Sequence, residues 1–409
     1  MQFAASFGRE GVDVMLAYIC LAVTTAETAV EPVRSFREVL SPYGWVLVFS
    51  FLVTAAVTPV VRALAMRLRV VDKPDSFLKP HGQPVAYLGG VAIYLGWVAG
   101  ILPILLSSPQ GQSRGVGLVL AGGVIMLVGL VDDLLNIKPW QKLLGQVAAA
   151  TILLAFGIGG GVWHVVLGPM GVEWPEPVVW ALSAPTTIFI VVAASNATNL
   201  LDGMDGLCSG VTGVIALCFV ILAVHLATFS PNDAYIWVRI VGSLAMLAAV
   251  CGFLPYNSNP ATIFMGDAGS MLLGLYAAGM MLMFGSGGSV RWLLGAVMIF
   301  GLPILDTSLA LLRRLRLRRP IFGGDRSHLY DQLVDRGFTV RQTVTICYAL
   351  AAFYGLFGLA IIFIRARYAL LIYPAVGAVT LYLCHRWGFL KPPVESEQER
   401  AEARPPKSR

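Results

Sequence analysis

Charged residues are scarce in this sequence: Asp, Glu, Lys and Arg make up only 13% of the 409 residues, while 57% are hydrophobic. A soluble domain of this length needs a largely polar and charged surface, so the composition excludes an ordinary soluble protein. The mean hydropathy of +0.75 is instead typical of a chain that lies mostly in a membrane. We expect membrane lipids, and no nucleic acid, among its partners.

Cysteines are few, and their spacing does not predict a structural site. The six cysteines are scattered, mostly inside apolar stretches, and none forms a CxxC pair. We therefore expect neither a disulfide framework nor a zinc site. The sequence also lacks an internal repeat and the inverted-repeat pattern that many secondary transporters show.

Long apolar stretches make up most of the chain. About 20 consecutive apolar residues predict a transmembrane helix, because backbone polar groups in lipid must be satisfied within the protein. About eleven such stretches occur, near 43–65, 85–107, 115–131, 143–162, 178–197, 207–229, 234–254, 268–285, 291–312, 342–364 and 368–387. They predict an all-α integral membrane protein, a polytopic bundle of about eleven transmembrane helices. The connection near 160–177 has Gly, Pro and alternating apolar residues, which predict a small outer hairpin.

The remaining segments flank this membrane domain. We divide the chain into residues 1–42, to which the sequence assigns no role, a polytopic domain over 43–390, and a tail over 391–409. The tail is charged and poor in apolar residues, so we expect it to be disordered. A signal peptide is not expected, because no basic segment precedes the first apolar residues.

The net charge of +6 is unevenly distributed over the connections. Basic residues concentrate in the first, third and ninth connections and in the C-terminal tail, whereas the even-numbered connections carry few. By the positive-inside rule, the odd connections and the C-terminus are cytoplasmic. The basic run RRLRLRRP at 313–320 is most simply an anchor of this kind, and it can also attract anionic lipid head groups.

Five short polar clusters lie at or beside the ends of apolar stretches. They are Lys79-Pro80-His81, Asp132-Asp133, NATNLLDGMDG at 196–206, NSNPATIFMGDAGS at 257–270 and DRSH at 325–328. An even number of predicted crossings separates each cluster from the next. All five therefore lie on the same predicted cytoplasmic face, where they can form one site.

The pair Asp132-Asp133 follows an apolar run that ends in GLV. Two adjacent carboxylates at a membrane boundary are costly to bury, and each disfavours ionisation of the other. The pair could act as a general base or bind a metal and phosphate. A solvated helix end is the alternative interpretation.

The segment NATNLLDGMDG places Asn196, Asn199, Asp202 and Asp205 three residues apart. Each three-residue step drifts by about 60° around a helix, so neighbouring pairs share a face but all four do not. Their oxygen atoms suit a hard cation such as Mg²⁺, which often completes its shell with water and substrate phosphates. Helix capping is the alternative, but it would explain only one or two of the four.

The remaining clusters supply a further carboxylate and several cationic groups. Asp267 lies in a Gly-Asp-Ala-Gly-Ser turn, where it could bind a metal or where Ser270 could simply cap a helix. Basic Lys79 could bind phosphate or anchor the chain at the membrane surface. Arg326 could hold a diphosphate, whereas His328 could bind a phosphate or sugar or be solvated. Together the clusters indicate phosphoryl-type transfer between a soluble phosphate donor and a lipid acceptor.

With these motifs, the chain resembles the polyprenyl-phosphate N-acetylhexosamine-1-phosphate transferases, whose superfamily includes the phospho-N-acetylmuramoyl-pentapeptide transferase. The resemblance runs from about residue 72 to 333. It rests on DKPDSFLKPHGQPVAYLGG, GLVDDLLNIKPWQKLLGQ, NATNLLDGMDGLCSG, PYNSNPATIFMGDAGSMLLG and PILDTSLALLRRLRLRRPIFGGDRSHLYDQL, in this order. The strings NxxNxxDGxDG and FMGDxGS are highly specific, whereas a lone Asp pair is not.

The resemblance implies a glycosyl-1-phosphate transferase of a bacterial inner membrane, with its active site and C-terminus in the cytoplasm. It would use Mg²⁺, or Mn²⁺ as a substitute, to transfer a sugar-1-phosphate from a UDP-sugar to undecaprenyl phosphate. The products would be undecaprenyl-diphospho-sugar and UMP, the first step of an envelope glycan such as O-antigen, teichoic acid or capsule. A homodimer is compatible with this assignment.

The resemblance also implies roles for individual residues. Asn199 and Asp267 match metal-binding positions. The expected catalytic residues are Asp132, Asp133, Asp202 and His328. The expected substrate-binding residues are Lys79, His81, Asn196, Asp205 and Arg326. The role expected of Asp132 is that of a base or of a group that orients phosphate.

Two departures bear on the donor sugar. The loop that often reads His-x-His reads His328-Leu329-Tyr330 here, and the stretch before Gly89-Gly90 reads Val85-Ala86-Tyr87, without the usual Pro and polar residue. The muramoyl-pentapeptide branch carries adjacent histidines in this loop, which this chain lacks. We therefore expect GlcNAc-1-phosphate transfer, with the muramoyl-pentapeptide reaction as the alternative. A secondary transporter is less consistent, because the acids cluster at one face, and a catalytically inactive scaffold disagrees with the retained acids.

Overall fold

A computed structural model of the chain describes residues 32–72, 85–107, 112–167, 174–230, 233, 235–286, 289–316, 318, 328–364 and 366–389. In chain order the first helices are α1 Phe36–Leu40, α2 Gly44–Leu68, α3 Gly89–Ser107, α4 Gln112–Leu135, α5 Pro139–Ala155, α6 Val162–Leu167, α7 Glu176–Leu201 and α8 Leu207–Phe229. They are followed by α9 Ile236–Asn257, α10 Gly266–Gly285, α11 Val290–Ile299, α12 Gly301–Arg316, α13 Leu329–Asp335, α14 Val340–Ile361 and α15 Ala366–Arg386. A short 3-10 turn, Ser41–Tyr43, joins α1 to α2.

The architecture is an all-α polytopic membrane bundle, as the apolar stretches predict. Each of the eleven predicted stretches coincides with a helix, and the stretch at 291–312 with the pair α11 and α12, which are bent by 69°. Within the described residues, eight helices are long and apolar enough to cross a membrane, or nine if the bent pair is one span. The helices α5 and α15 are not among these, so the count of eleven is not confirmed.

Two details differ from the sequence-based expectations. The described part of the expected outer hairpin is helical, because Val162 and Val165 recur at helical spacing and are both buried. The indole N–H of Trp163 donates to Thr186 Oγ1 at 2.9 Å, which fastens this short helix to α7. The expected domain boundary at residue 42 falls within a helical stretch that runs from Phe36 to Leu68.

Strand structure in the described chain is confined to a small ribbon that leads toward the polar clusters. The strands β1, Val71–Asp72, and β2, Val85–Ala86, pair antiparallel. The ribbon continues into the segment before α10, because Phe264 N donates to Ala86 O at 2.8 Å. Gly89 N in turn donates to Phe264 O at 2.9 Å, so the start of α3 and the start of α10 lie side by side.

Helix α10 lies at the centre of the bundle, and its membrane-length apolar stretch is fully buried within the protein. It packs against α3, α4, α7 and α11. Close approach of backbones requires glycine here, since a Cβ at Gly90 would overlap the backbone of Gly269, and one at Gly129 would overlap that of Ala268. These contacts hold the first turn of α10 against the ends of α3 and α4.

The opposite end of the bundle is closed by a buried ion pair. Arg239 in α9 is 1% exposed, and its Nη1 lies 2.6 Å from Asp233 Oδ2. Its Nη2 donates to Met283 O near the end of α10 at 2.6 Å. Because a buried guanidinium is costly without a partner, this pairing stabilises the end of the bundle that is remote from the acidic clusters.

Candidate active site

Asp133 fixes the position of the first turn of α10. Its Oδ1 accepts from Asp267 N at 2.8 Å and its Oδ2 from Ala268 N at 3.1 Å. A carboxylate suits this place, because the first N–H groups of a helix have no partner within the helix. Gly266 permits the approach: its φ is +68°, and a Cβ there would overlap the Asp133 carboxylate. The pair at the end of α4 is thereby locked against Asp267.

Lys142 joins the neighbouring carboxylates. It lies in the first turns of α5, and its Nζ is 2.5 Å from Asp132 Oδ2 and 2.5 Å from Asp267 Oδ2. The other oxygen of Asp132 accepts from Ile137 N at 3.0 Å, which ties it to the turn between α4 and α5. The arrangement places one ammonium between two carboxylates at the membrane boundary. Sequence reasoning counted Lys142 only as a basic residue of the third connection.

Asn199 and Asp267 are brought together, as the resemblance implies. Asn199 Nδ2 donates to Asp267 Oδ1 at 2.9 Å and to Ser270 Oγ at 3.0 Å. Ser270 in turn donates to Gly266 O at 3.1 Å. The two oxygens of Asp267 therefore face different helices, one toward Asn199 on α7 and the other toward Lys142 on α5.

Asp202 follows the last residue of α7 and lies in the field of the other acids. Burial raises its pKa well above the ordinary value, and the negative charges of Asp267, Asp133 and Asp205 raise it further. Such a shift is common where carboxylates share a functional site, although it also occurs in structural clusters.

Tyr87 is a second residue that sequence reasoning did not assign. Burial raises the pKa of its phenol, and the charges of Asp72, Asp133 and Asp202 add to the shift. Its ring packs beside Phe264 at 5.8 Å between centroids. The unusual Val85-Ala86-Tyr87 stretch was the available signal, since it places a phenol beside the acids where the family has other residues.

Asp205 and Asn196 have hydrogen-bond partners outside the group formed by Asp132, Asp267 and Lys142. Asp205 Oδ2 accepts from Asn259 Nδ2 at 2.9 Å and from Ala261 N at 3.0 Å, so it anchors the loop that precedes α10. Asn196 Nδ2 donates to Gln146 Oε1 on α5 at 2.9 Å. These contacts give both residues a structural role, and their expected roles in substrate binding stay predictions.

His328 reaches the site through the segment that begins α13. The residue is 4% exposed, and its ring is stacked on that of Tyr330, with 5.5 Å between centroids and 6° between planes. Tyr330 Oη donates to Leu200 O at 3.1 Å. Since Leu200 lies between Asn199 and Asp202, this bond docks the histidine segment on the same helix end.

Three expected substrate-binding residues lie outside the described residues, namely Lys79, His81 and Arg326. The described residues therefore bring together acids and amides from three of the five clusters, with His328 from a fourth docked beside them. The first cluster, Lys79-Pro80-His81, lies outside the described residues. The described residues nearest to it in the sequence belong to the strands β1 and β2, which Tyr87 follows.

The donor set fits a hard cation. Asp132, Asp267 and Asn199 carry oxygen atoms of the type that Mg²⁺ prefers, and the ammonium of Lys142 already occupies a position between the two carboxylates. Among the described side chains, no group of three or more His, Cys, Asp or Glu residues could hold a metal ion.

Comparisons with known proteins match this site to a family. Glycosyl transferase family 4 matches residues 116–285, which include Asp132, Asn199 and Asp267. The decaprenyl-phosphate N-acetylglucosaminephosphotransferase of Mycolicibacterium smegmatis is 34% identical over 318 residues, or 73% of this chain and 76% of the relative.

Two further relatives represent different reactions. The undecaprenyl-phosphate alpha-N-acetylglucosaminyl 1-phosphate transferase of Escherichia coli is 30% identical over 328 residues, covering 76% of this chain and 82% of the relative. The phospho-N-acetylmuramoyl-pentapeptide-transferase of Desulforamulus reducens is 30% identical over 330 residues, covering 76% and 92%. The family expected from the motifs is thus confirmed, and a transporter is excluded as the chain's class. The chain belongs to glycosyl transferase family 4 and is an integral membrane phosphotransferase.

Proposed function

We propose that the protein transfers GlcNAc-1-phosphate from UDP-GlcNAc to undecaprenyl phosphate, giving undecaprenyl-diphospho-GlcNAc and UMP. The observation that carries the proposal is the convergence of Asp132, Lys142, Asn199 and Asp267 from four helices at one end of the bundle. The names of the relatives from M. smegmatis and E. coli support the sugar and a polyprenyl acceptor. The product would initiate an envelope glycan such as O-antigen, teichoic acid or capsule.

The reaction asks the protein mainly to position phosphates and to stabilise charge. An oxygen of the acceptor phosphate bonds to the sugar-bearing phosphorus, and the bond from that phosphorus to the UMP oxygen breaks. Lys142 is placed to donate to the phosphates, because its ammonium is held between two carboxylates without being buried. Asp132 receives a proton from the acceptor phosphate or orients that phosphate, while Asp133 fixes the first turn of α10.

Mg²⁺ is the cofactor that we propose, with Mn²⁺ as a substitute. Asp267 and Asn199 would hold it, because they meet at hydrogen-bond distance and carry the oxygen donors that a hard cation requires. When bound, the ion would neutralise the diphosphate and polarise phosphorus. Asp202 and His328 remain our predicted further catalytic residues. The predicted contacts to the nucleotide and sugar are Lys79, His81, Asn196, Asp205 and Arg326.

We place the site on the cytoplasmic face of a bacterial inner membrane, which agrees with the basic residues of the odd connections. A UDP-sugar is soluble, so the donor must reach the site from this side, whereas the acceptor arrives from the bilayer. The acceptor is itself a lipid, so the reaction requires a lipid environment. The expected homodimer can be tested on the same purified sample.

The muramoyl-pentapeptide reaction is the second candidate, because the D. reducens relative is 30% identical over 76% of this chain. A transfer assay distinguishes the two. Purified protein is given Mg²⁺, undecaprenyl phosphate, and labelled UDP-GlcNAc, UDP-GalNAc or UDP-MurNAc-pentapeptide in parallel, with EDTA as the metal control. Lipid-linked product from UDP-GlcNAc alone is expected, whereas product from the pentapeptide donor would establish the alternative. No product from any of the donors would refute the proposed reaction.

A further inference from the structure

The buried acid Asp306 lies directly behind His328 and has no place in the reaction as described so far. It is part of α12, the half of the bent pair that follows the 69° break, and it is 1% exposed. A buried carboxylate is costly unless its oxygens are hydrogen-bonded. Its partners therefore show what it stabilises.

Both oxygens of Asp306 are bonded to the segment that carries His328. Oδ2 lies 2.8 Å from His328 Nδ1, and Oδ1 accepts from Leu329 N at 2.7 Å. One contact orients the imidazole, and the other fixes the backbone at the start of α13. A carboxylate with two such partners sets both the position and the rotation of the ring.

The ring is held from other directions as well. Tyr330 stacks on its face and is itself bonded to Leu200 O at the end of α7. The N–H of His328 donates to Asp331 Oδ2 at 3.1 Å, which closes the first turn of α13. The His328 side chain is thus fixed between α12, through its contact with Asp306, and the helix end that carries Asn199, through Tyr330.

We propose that Asp306 is a positioning residue for the transfer reaction, and that it holds His328 with a proton on Nδ1. The inference rests on the proposed function, because it gives His328 a task at the donor phosphates or sugar. A carboxylate beside Nδ1 favours the protonated nitrogen and fixes the ring orientation, as it does where a carboxylate supports a catalytic or metal-binding histidine. It also favours the cationic imidazolium, which is the better hydrogen-bond donor to a phosphate.

The substitution Asp306→Asn tests this directly. Asparagine has one acceptor oxygen where Asp306 uses two, so either His328 Nδ1 or Leu329 N loses its acceptor and meets an N–H group instead. We expect kcat for lipid-linked product to fall between about tenfold and a hundredfold, the range for one charge-assisted hydrogen bond. The control is Thr307→Val on the same helix, whose buried hydroxyl has no hydrogen-bond partner among the described residues, and it should keep kcat within about twofold of wild type.

A double-mutant cycle separates positioning from a general loss of structure. In a His328→Gln background, Asp306→Asn should lower the residual kcat by less than about threefold, because its target is already absent. An equal loss in both backgrounds, or full activity of Asp306→Asn, would overturn the proposal. Wild-type turnover of UDP-GlcNAc is measured in the same series, so failure of the proposed function appears as an inactive wild type, separate from either result.

A spectroscopic measurement keeps the test valid if Asp306→Asn does not fold. The chain has five histidines, so ¹⁵N-histidine labelling of the intact wild-type protein gives few signals, and His328→Gln assigns the one required. The Nδ1 of His328 should carry a proton at neutral pH. An unprotonated Nδ1 would refute the proposal whatever the kinetics of the variants.

Discussion

Lys142→Met is the substitution that most directly tests the arrangement of the site. Methionine has nearly the length of lysine but no charge, so the change removes the ammonium and leaves the packing of α5 largely intact. Asp132 Oδ2 and Asp267 Oδ2 are each 2.5 Å from the Lys142 nitrogen, and hence lie no more than 5 Å apart. Without the ammonium they face one another as two negative charges.

The expected loss of stability follows from the distance between the two carboxylates. Two unit charges about 5 Å apart repel by about 3 kcal/mol at an effective dielectric constant of about 20. Asp132 is 9% exposed but Asp267 is 25% exposed, so solvent screening lowers this repulsion, and we expect about 1–2 kcal/mol. A divalent cation can replace the lost positive charge. The variant should therefore be destabilised mainly in EDTA and should recover more stability with Mg²⁺ than wild type does.

Thermal unfolding in detergent, with EDTA and with Mg²⁺, measures this difference, and the transfer assay measures the loss of turnover. We expect kcat to fall about a hundredfold or more, as it does when a group that stabilises transition-state charge is removed. Lys138→Met is the matched control, because Lys138 is exposed at the start of the same helix. Equal loss of stability in EDTA and Mg²⁺ together with normal turnover would refute the assignment of Lys142 to the site.

Three further predictions test the segment around α13. Gly203→Ala should lower the free energy of unfolding by about 1–3 kcal/mol and also lower kcat, because the added Cβ would overlap the Tyr330 phenol. Tyr330→Ala should suppress this loss of kcat in the transfer assay. Burial raises the pKa of Asp331 to about 6, so wild type should lose stability as pH rises from about 4 through 6, whereas Asp331→Asn should not; unfolding across that range would show a difference of about 1–2 kcal/mol. Arg336→Met removes the bond to Trp387 O at 3.1 Å and should cost about 1 kcal/mol in thermal unfolding, and an unchanged melting temperature would contradict this.

The helices were largely predictable because hydropathy reports a strict physical requirement. Each of the eleven predicted apolar stretches coincides with helix in the described part of the chain, since backbone groups in lipid have no other partners. The bend between α11 and α12 was not predicted, because the apolar stretch at 291–312 was read as one helix, although Gly301 and Pro303 mark the break in the sequence. That bend matters for the site, since it sets the direction of the helix that carries Asp306.

The residue types that form the site were predictable from the sequence, but the contacts between them were less so. The three-residue spacing of Asn196 and Asn199 predicted that this neighbouring pair shares a helix face, but the structure directs Asn196 toward Gln146 on α5 and Asn199 toward Asp267 on α10. The role of Lys142 depends on the turn after α4, where Asn136 has a φ of +49° and its N–H donates to Asp132 O at 2.8 Å. Nothing in the charge pattern shows that this turn brings a lysine back to the acids.

Tyr330 shows how a departure from the family pattern acquires a physical role. Its phenol donates to Leu200 O, its ring supports the face of His328, and burial raises its pKa, so it remains a neutral hydrogen-bond donor at neutral pH. A second imidazole at this position could gain or lose a proton near neutral pH, whereas the phenol cannot. The task that two histidines could share therefore falls to His328 alone, with Tyr330 as its packing support. The protonation of that single ring, and hence its contact with Asp306, should govern how the loop acts on the donor.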